Sequence, residues 1–431
     1  MIYRLEVKDL LFSVRRPRDV NLRTPALILV LAAPLGLLHA FLLAEICIGL
    51  TDILFVAEMA RQRNFAWARR PWFIAAMLWW LWLLICSAPF GFTTAGWFMS
   101  FAQAFVIIRF IVFTAALESW VLTTRASRRA AAIALGLSCL WIGLESWQQY
   151  LTGSNIFGDP RWADGALTGP FWKPRAGALY AHLLFIGLIP AAMALLARGR
   201  AGRFAAAALI VLGVVTSVLI GQRMGTAYTL LGDATMALLI PRLRRAALIA
   251  FAAAIVVTLL TPLISPPTHA KLVLETGQNM GHFTASPYGQ LMLRAVTMGL
   301  NSPWHGWGYN GFRAFCPQPR FATGFGLPPT QLSLGACNLH PHNYYLQAFT
   351  DAGFPGLFLF IILNAIWLFN LFRGLPRNPD AWRAGLFIAA LTFAWPFGST
   401  DEFPTLYMPG WMFLILGLGL ALRRSGVPDP A

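Results

Sequence analysis

A histidine and an asparagine set just before a hydrophobic segment are the residues of this chain best suited to chemistry. His342-Asn343 is followed by nine residues and then Gly353-Phe354-Pro355-Gly356, after which the chain is apolar from Leu357 to Phe372. An imidazole, with an unperturbed pKa of about 6.5, can take a proton from an attacking hydroxyl near neutral pH. Two arginines supply complementary charge. Arg223 lies in Gly-Gln-Arg-Met-Gly, a minimal turn between apolar runs. Arg294 lies on the helix expected after Ser286-Pro287, where a hydroxyl N-cap precedes a proline at the first helical position. Two guanidinium forks at one surface suit a phosphate or diphosphate, each charge-assisted contact contributing roughly 1.5–3 kcal/mol. For Arg294 the alternative is snorkelling to water or lipid headgroups.

Further candidates surround these. Asn301 to Phe312, NSPWHGWGYNGF, joins three glycines to Trp304, Trp307 and Tyr309. Glycine lets backbone approach a ligand closely and aromatic faces suit sugars, while an interfacial aromatic belt explains the same residues without a ligand. Lys173 and Arg175 stand at another helix entrance, where substrate contact and generic headgroup contact are both open, and Asn343 is a further candidate sugar contact. The five cysteines include no close pair with metal-ligand spacing, so a structural zinc site is not expected, and the chain is read as using no metal and no other cofactor. Cys316 and Cys337 share one long loop and are the plausible disulfide pair in an oxidising compartment; two free thiols is the other reading.

The elements that must position these residues are membrane helices. Of 431 residues, 58% are hydrophobic and 12% charged, a balance outside that of soluble domains. The formal charge of +16 falls in short clusters between apolar runs, where it sets topology and does not indicate nucleic acid. The expected fold is an all-α integral membrane protein with about twelve transmembrane helices. Two lie between Pro25 and Ala60, meeting near His39; the rest lie at about 72–90, 97–122, 130–150, 176–197, 204–220, 225–240, 246–264, 353–372, 384–398 and 407–422. Residues 1–24 read as a cytoplasmic amphipathic segment, because Val7, Leu10, Leu11 and Val14 repeat at helical spacing among basic residues. Residues 25–264 hold helices 1–9, 265–352 an external catalytic loop with short helices, and 353–431 the last three helices and a cytoplasmic tail.

Charge supports this arrangement. Segments assigned inside carry 24 Lys and Arg against 8 in segments assigned outside, with Arg109 inside a span. The positive-inside rule then places both termini in the cytoplasm. Arg109 needs a partner, and Glu45, Asp52, Glu118, Glu145 and Asp233 are all available. Five of the seven histidines fall in the long external loop and no internal repeat is evident, which favours an enzyme at the outer surface over a carrier built from related halves.

The chain resembles the O-antigen ligase and polymerase superfamily of polytopic bacterial membrane proteins, in topology over most of its length and in motifs from about Leu167 to Leu357. His342-Asn343, nine residues, then Gly353-x-x-Gly356 is similar to the signature of the ligases. Asn301 to Phe312, in the form N-x-P-x-x-G-x-G-x-x-x-F, is similar to the segment that precedes it in ligases and polymerases, and Arg223 in its short turn resembles a family arginine. Asp351 stands where many relatives have glutamate. The resemblance implies a metal-independent glycosyltransferase of the bacterial inner membrane, acting at the periplasmic face on a glycan carried by undecaprenyl diphosphate. Ligases pass the glycan to the lipid A core in lipopolysaccharide biosynthesis, polymerases to another carrier-linked repeat, and some relatives to protein. For this chain the reading is ligase, with His342 as general base or as a positioning group and Arg223 and Arg294 on the diphosphate. An O-antigen or exopolysaccharide polymerase and a protein O-oligosaccharyltransferase are the alternatives; a polysaccharide transporter and a non-catalytic assembly scaffold are more distant ones.

Overall fold

Inside a bilayer no water is available to backbone amides, so spanning segments must close their hydrogen bonds internally. The computed structural model describes residues 21–89, 97–321, 337, 340–398 and 406–424. Among the described residues the regular structure is helical, apart from one isolated bridge between Ser154 and Pro160. The principal helices are α1 (Arg23–His39), α2 (Phe41–Gln62), α3 (Pro71–Ser87), α4 (Phe98–Val121), α5 (Arg125–Thr152), α6 (Ala176–Leu196) and α7 (Gly199–Ile220). They continue with α8 (Arg223–Leu239), α9 (Arg244–Ile264), α10 (Pro287–Asn301), α11 (Tyr344–Phe372), α12 (Ala381–Phe393) and α13 (Tyr407–Arg424). Each expected span falls on one of these helices. Six of them, α4, α5, α6, α7, α9 and α11, are long and apolar enough to cross a membrane, and α1, α3 and α12 are shorter apolar helices. The amphipathic segment expected over residues 1–24 lies, apart from residues 21–24, outside the described residues.

α6 is the centre of the packing, with α5, α7, α8 and α12 against it. Small residues allow this closeness: a Cβ on Gly136 of α5 would lie 3.4 Å from the Cα of Gly187 in α6, and one on Gly385 of α12 would lie 2.4 Å from the Phe185 carbonyl oxygen. The charge inside α4 is matched by α2. Arg109 donates through Nε and Nη2 to both carboxylate oxygens of Glu45, at 3.0 and 2.9 Å, so one of five candidate partners is selected. Bidentate pairing satisfies the fork that a mid-span arginine would otherwise leave exposed to lipid.

α11 starts nine residues before the expected span, because it contains a break that the apolar pattern does not reveal. Gly353 has φ 66° and ψ −166°, a backbone region essentially confined to glycine. The interruption frees main-chain groups of α11, and the Asn301–Phe312 segment takes them up. The Trp307 and Gly308 N–H groups donate to the carbonyls of Thr350 and Asp351 at 2.8 and 3.0 Å, Trp82 Nε1 donates to Ala352 at 2.9 Å, and the Phe354 N–H returns to Pro303 at 2.7 Å. A Cβ on Gly306 would sit 2.4 Å from the Ala352 nitrogen, and one on Gly353 would sit 2.5 Å from the Pro303 oxygen. Gly306 and Gly353 therefore bring backbone to backbone, where the sequence left the glycines of Asn301–Phe312 open between close approach to a ligand and an aromatic belt without one.

A Gly353→Ala substitution should destabilise the protein by more than about 2 kcal/mol, from a disfavoured backbone conformation and overlap with the Pro303 carbonyl. Gly277→Ala is the control, since its added methyl meets nothing within 4 Å. Thermal unfolding in detergent measures both, with the expected order G353A well below wild type and G277A at or slightly above it.

Candidate functional site

The site is built where the start of α11 meets α10. Asn343 caps α11: its Oδ1 accepts from the Tyr345 and Leu346 N–H groups at 2.9 and 3.0 Å, and its Nδ2 donates to the carbonyls of Pro396 and Gly398 at 2.7 and 2.9 Å. Both ends of the amide are thus engaged by backbone, tying α11 to the chain beyond α12. His342 precedes this cap with φ 53°, a left-handed conformation uncommon outside glycine. That turn places its N–H 3.2 Å from Nδ1 of His340 and the two rings 4.2 Å apart. On its other side His342 meets the ring of Tyr288 from the first turn of α10, at 6.3 Å. Burial first, and Arg313 second, push the pKa of His340 down to about 4. A neutral His340 fits the acceptor role of its Nδ1, and His342 beside it is half-buried.

Arg294 is on the same helix, six residues beyond Tyr288 and so about 9 Å along the axis. It does not snorkel, being only 1% exposed. Leu291, Ala295 and Met298 line its face of α10 and join Trp307, Phe312, Phe321 and two cysteines in a small core of their own. Cys316 and Cys337 form a disulfide there, with Cα atoms 5.4 Å apart. Arg294 Nη1 points at both sulfurs, while Nε and Nη2 are buried with no hydrogen-bond partner among the described residues. Burial lowers the pKa of this guanidinium, yet arginine keeps its charge in proteins. The result is a fixed cation in a nearly dry pocket.

The aromatic segment divides in its uses. Trp307 is buried, donates from Nε1 to the Met298 carbonyl at 2.7 Å, and has Arg320 stacked 4.7 Å from its ring. Tyr309 is buried too, its N–H donating to Ser87 Oγ and its carbonyl accepting from Ser100 Oγ, both at 2.8 Å. Only Trp304 of the three presents its ring, at 71% exposure. Asp351 was not singled out as a site residue in the sequence, yet it fixes this segment from below. It is buried, and its Oδ1 accepts from the Gly311 N–H at 3.2 Å, with the Asn310 N–H and the Gln347 side chain also turned to it. A carboxylate two residues before a glycine break was the signal available.

Arg223 belongs to a second cluster. It donates from Nε to the Lys271 carbonyl at 3.0 Å and pairs with Glu275, while Lys271 pairs with Asp164 and Arg161 reaches Ser265 Oγ at 3.3 Å. Lys173 and Arg175 are elsewhere again. Lys173 lies over the exposed Trp172 ring at 4.2 Å, and Arg175 sits between Phe41 and Tyr407, at 5.3 and 4.6 Å from their rings. α10 thus carries Arg294 and, at its first turn, the Tyr288 that meets His342, while Arg223, Lys173 and Arg175 make their contacts with other residues.

Because His340 is held below its unfolded pKa of about 6.5, the unfolded chain binds more protons between that value and about 4. Stability from this residue is fully present above pH 6.5 and is lost as pH falls toward 4. His340→Asn keeps an acceptor for the His342 N–H without titrating. Melting curves from pH 7 to 4.5 should fall less steeply for H340N than for wild type, and parallel curves would rule this role out.

No curated protein matches the chain. Residues 206–361 match the family model described as O-antigen ligase. That stretch holds Arg223, Arg294, the Asn301–Phe312 segment, the disulfide, His342-Asn343 and the Gly353 break. Over this stretch, somewhat more than a third of its length, the chain is similar to the O-antigen ligase family.

Proposed function

We propose that the protein is an O-antigen ligase, a metal-independent glycosyltransferase of the bacterial inner membrane. It moves a glycan from undecaprenyl diphosphate to the lipid A core at the periplasmic face, with both termini in the cytoplasm. One observation carries the reading: α10 bears both Tyr288, whose ring meets His342, and a buried arginine whose Nε and Nη2 find no hydrogen-bond partner among the described residues. A catalytic histidine needs a hydroxyl to deprotonate, and a buried guanidinium without a carboxylate suits an anionic leaving group.

In the reaction, the acceptor hydroxyl oxygen attacks the anomeric carbon and passes its proton to His342. The bond from that carbon to the diphosphate oxygen breaks, and the electron pair leaves with the diphosphate. Arg294 meets the developing charge from a position fixed by the disulfide core. Arg223 engages the same diphosphate by exchanging Glu275, whose side chain is 49% exposed in the pair. An exposed ion pair is worth roughly 0–1 kcal/mol, so a diphosphate displaces it readily. Trp304 offers its face to the sugar, and Lys173 and Arg175 contact lipid headgroups at the neighbouring entrance.

Glycan transfer by purified protein should fall about 10- to 100-fold in R223K and R294K, because lysine keeps charge and loses the planar fork. H342A should lose transfer with normal accumulation of protein. Full activity in all three variants would remove the assignment. Deleting the protein should leave bare core lipid on a lipopolysaccharide gel, with long glycan retained on the carrier. Core bearing a single repeat would instead identify a polymerase.

The topology has its own test. A reporter fused after Arg424 should label as cytoplasmic and one inserted at Gly277 as periplasmic. The opposite pattern would put His342 on the wrong side for a carrier-linked glycan.

A further inference from the structure

Two cavities away from His342 meet end to end on α5. The first, of about 420 Å3, is a groove between α5, α6 and α7, lined by Leu140, Leu144 and Trp147 of α5, Leu184 of α6, and Leu212 and Thr216 of α7. Its lining on α5 extends from Ala132 to Trp147, about 22 Å along the helix axis against a hydrocarbon thickness of about 30 Å. The second cavity, of about 360 Å3, is lined by Arg125, Arg128, Arg129 and Asp380. Ala132 and Trp382 line both, so the basic chamber adjoins the Ala132 end of the apolar groove across a shared wall.

The charges are arranged for an anion. Three arginines against one aspartate leave a formal +2 at this chamber. Asp380 is turned to the start of α12, its Oδ1 accepting from the Arg383 N–H at 2.8 Å. Arg128 is 9% exposed and spends Nη1 on the carbonyls of Leu122 and Thr123, at 3.3 and 2.8 Å, while its Nε is buried with no hydrogen-bond partner among the described residues. Arg125 and Arg129 are exposed beside it. A surface that merely faced lipid would be apolar throughout and need not be concave. Here a groove suited to one hydrocarbon chain adjoins a chamber suited to a phosphate.

We propose that this composite cavity binds an anionic glycerophospholipid, with its phosphate among Arg125, Arg128 and Arg129 and one acyl chain along α5 in the groove. Basic pockets between membrane helices hold anionic headgroups by the same electrostatics. The chamber lies at the 123–129 connector, one of the basic segments that the charge count assigns to the cytoplasmic side. The site is therefore separate from the proposed chemistry, and a lipid there would brace α5, α7 and α12 around the central α6.

Native mass spectrometry of the full-length protein tests this after equilibration with equimolar dioleoyl phosphatidylglycerol and dioleoyl phosphatidylcholine in mild detergent. The wild type should retain one phosphatidylglycerol per chain in preference to phosphatidylcholine. Each arginine near a headgroup contributes a little over fivefold, so R125Q/R129Q should lower that preference by about 30-fold. Leu140→Trp, at a position 54% exposed and lining the groove, should expel the chain and lower retention with all three arginines in place. Equal retention of the two lipids by wild type, an unchanged preference in R125Q/R129Q, or unchanged retention in L140W would each overturn the proposal. The last of these would mean that phosphate alone is held and that no chain is seated. Unaltered melting temperatures in lipid-free detergent separate these outcomes from misfolding.

Discussion

The candidate site hangs on a helix broken where it is buried. An interruption in an α-helix leaves carbonyl and amide groups without intrahelical partners, and each such buried group costs about 1–3 kcal/mol if nothing replaces them. At Gly353 protein replaces them: Trp82, Trp307 and Gly308 donate to the freed carbonyls, and Pro303 accepts from Phe354. Loop and helix thus specify each other. The loop presents its amides because Gly306 and Gly308 take left-handed backbone, at φ 64° and 75°. The helix presents its carbonyls because Gly353 does the same.

Everything near His342 inherits its position from that junction. The paired segment continues into Tyr309, which Ser87 and Ser100 hold to α3 and α4, and then into Gly311, which Asp351 holds to α11. Beyond it, Cys316 closes to Cys337, so the chain re-enters the site only a few residues before His340. α10 is trapped between these supports, which is how a helix with one strongly buried arginine keeps that arginine in place. The neutral state of His340 belongs to the same design, since a second cation there would face Arg313.

Much of this was legible in the sequence at the level of elements. Apolar runs marked the helices, and Ser286-Pro287 marked the start of α10, where Ser286 Oγ accepts from the Gly289 N–H at 3.1 Å. Residue types were legible where their partners were not. Arg109 demanded a carboxylate, but five lay in spans, and only packing of α2 on α4 selects Glu45. The glycines of Asn301–Phe312 announced close approach, yet spacing cannot say whether a sugar or another stretch of backbone comes near. Asn343 looked like a substrate contact because it follows a histidine; its amide geometry is that of an N-cap. Asp351 was marked only as standing where relatives have glutamate, because a lone acid does not name its partners, and the amides of Asn310 and Gly311 that it accepts from lie about 40 residues away.

On the proposed reaction, the two arginines do different work because water reaches them differently. Arg294, at 1% exposure, has its orientation fixed before any substrate arrives. A charge so held stabilises the leaving diphosphate without reorganising during bond breaking, which is where a preorganised dipole or cation gains most over solvent. Arg223 is partly exposed and already paired with Glu275, so its share in binding comes by exchange of one anion for another and is screened by salt. Burial therefore assigns rate to the first arginine and capture to the second.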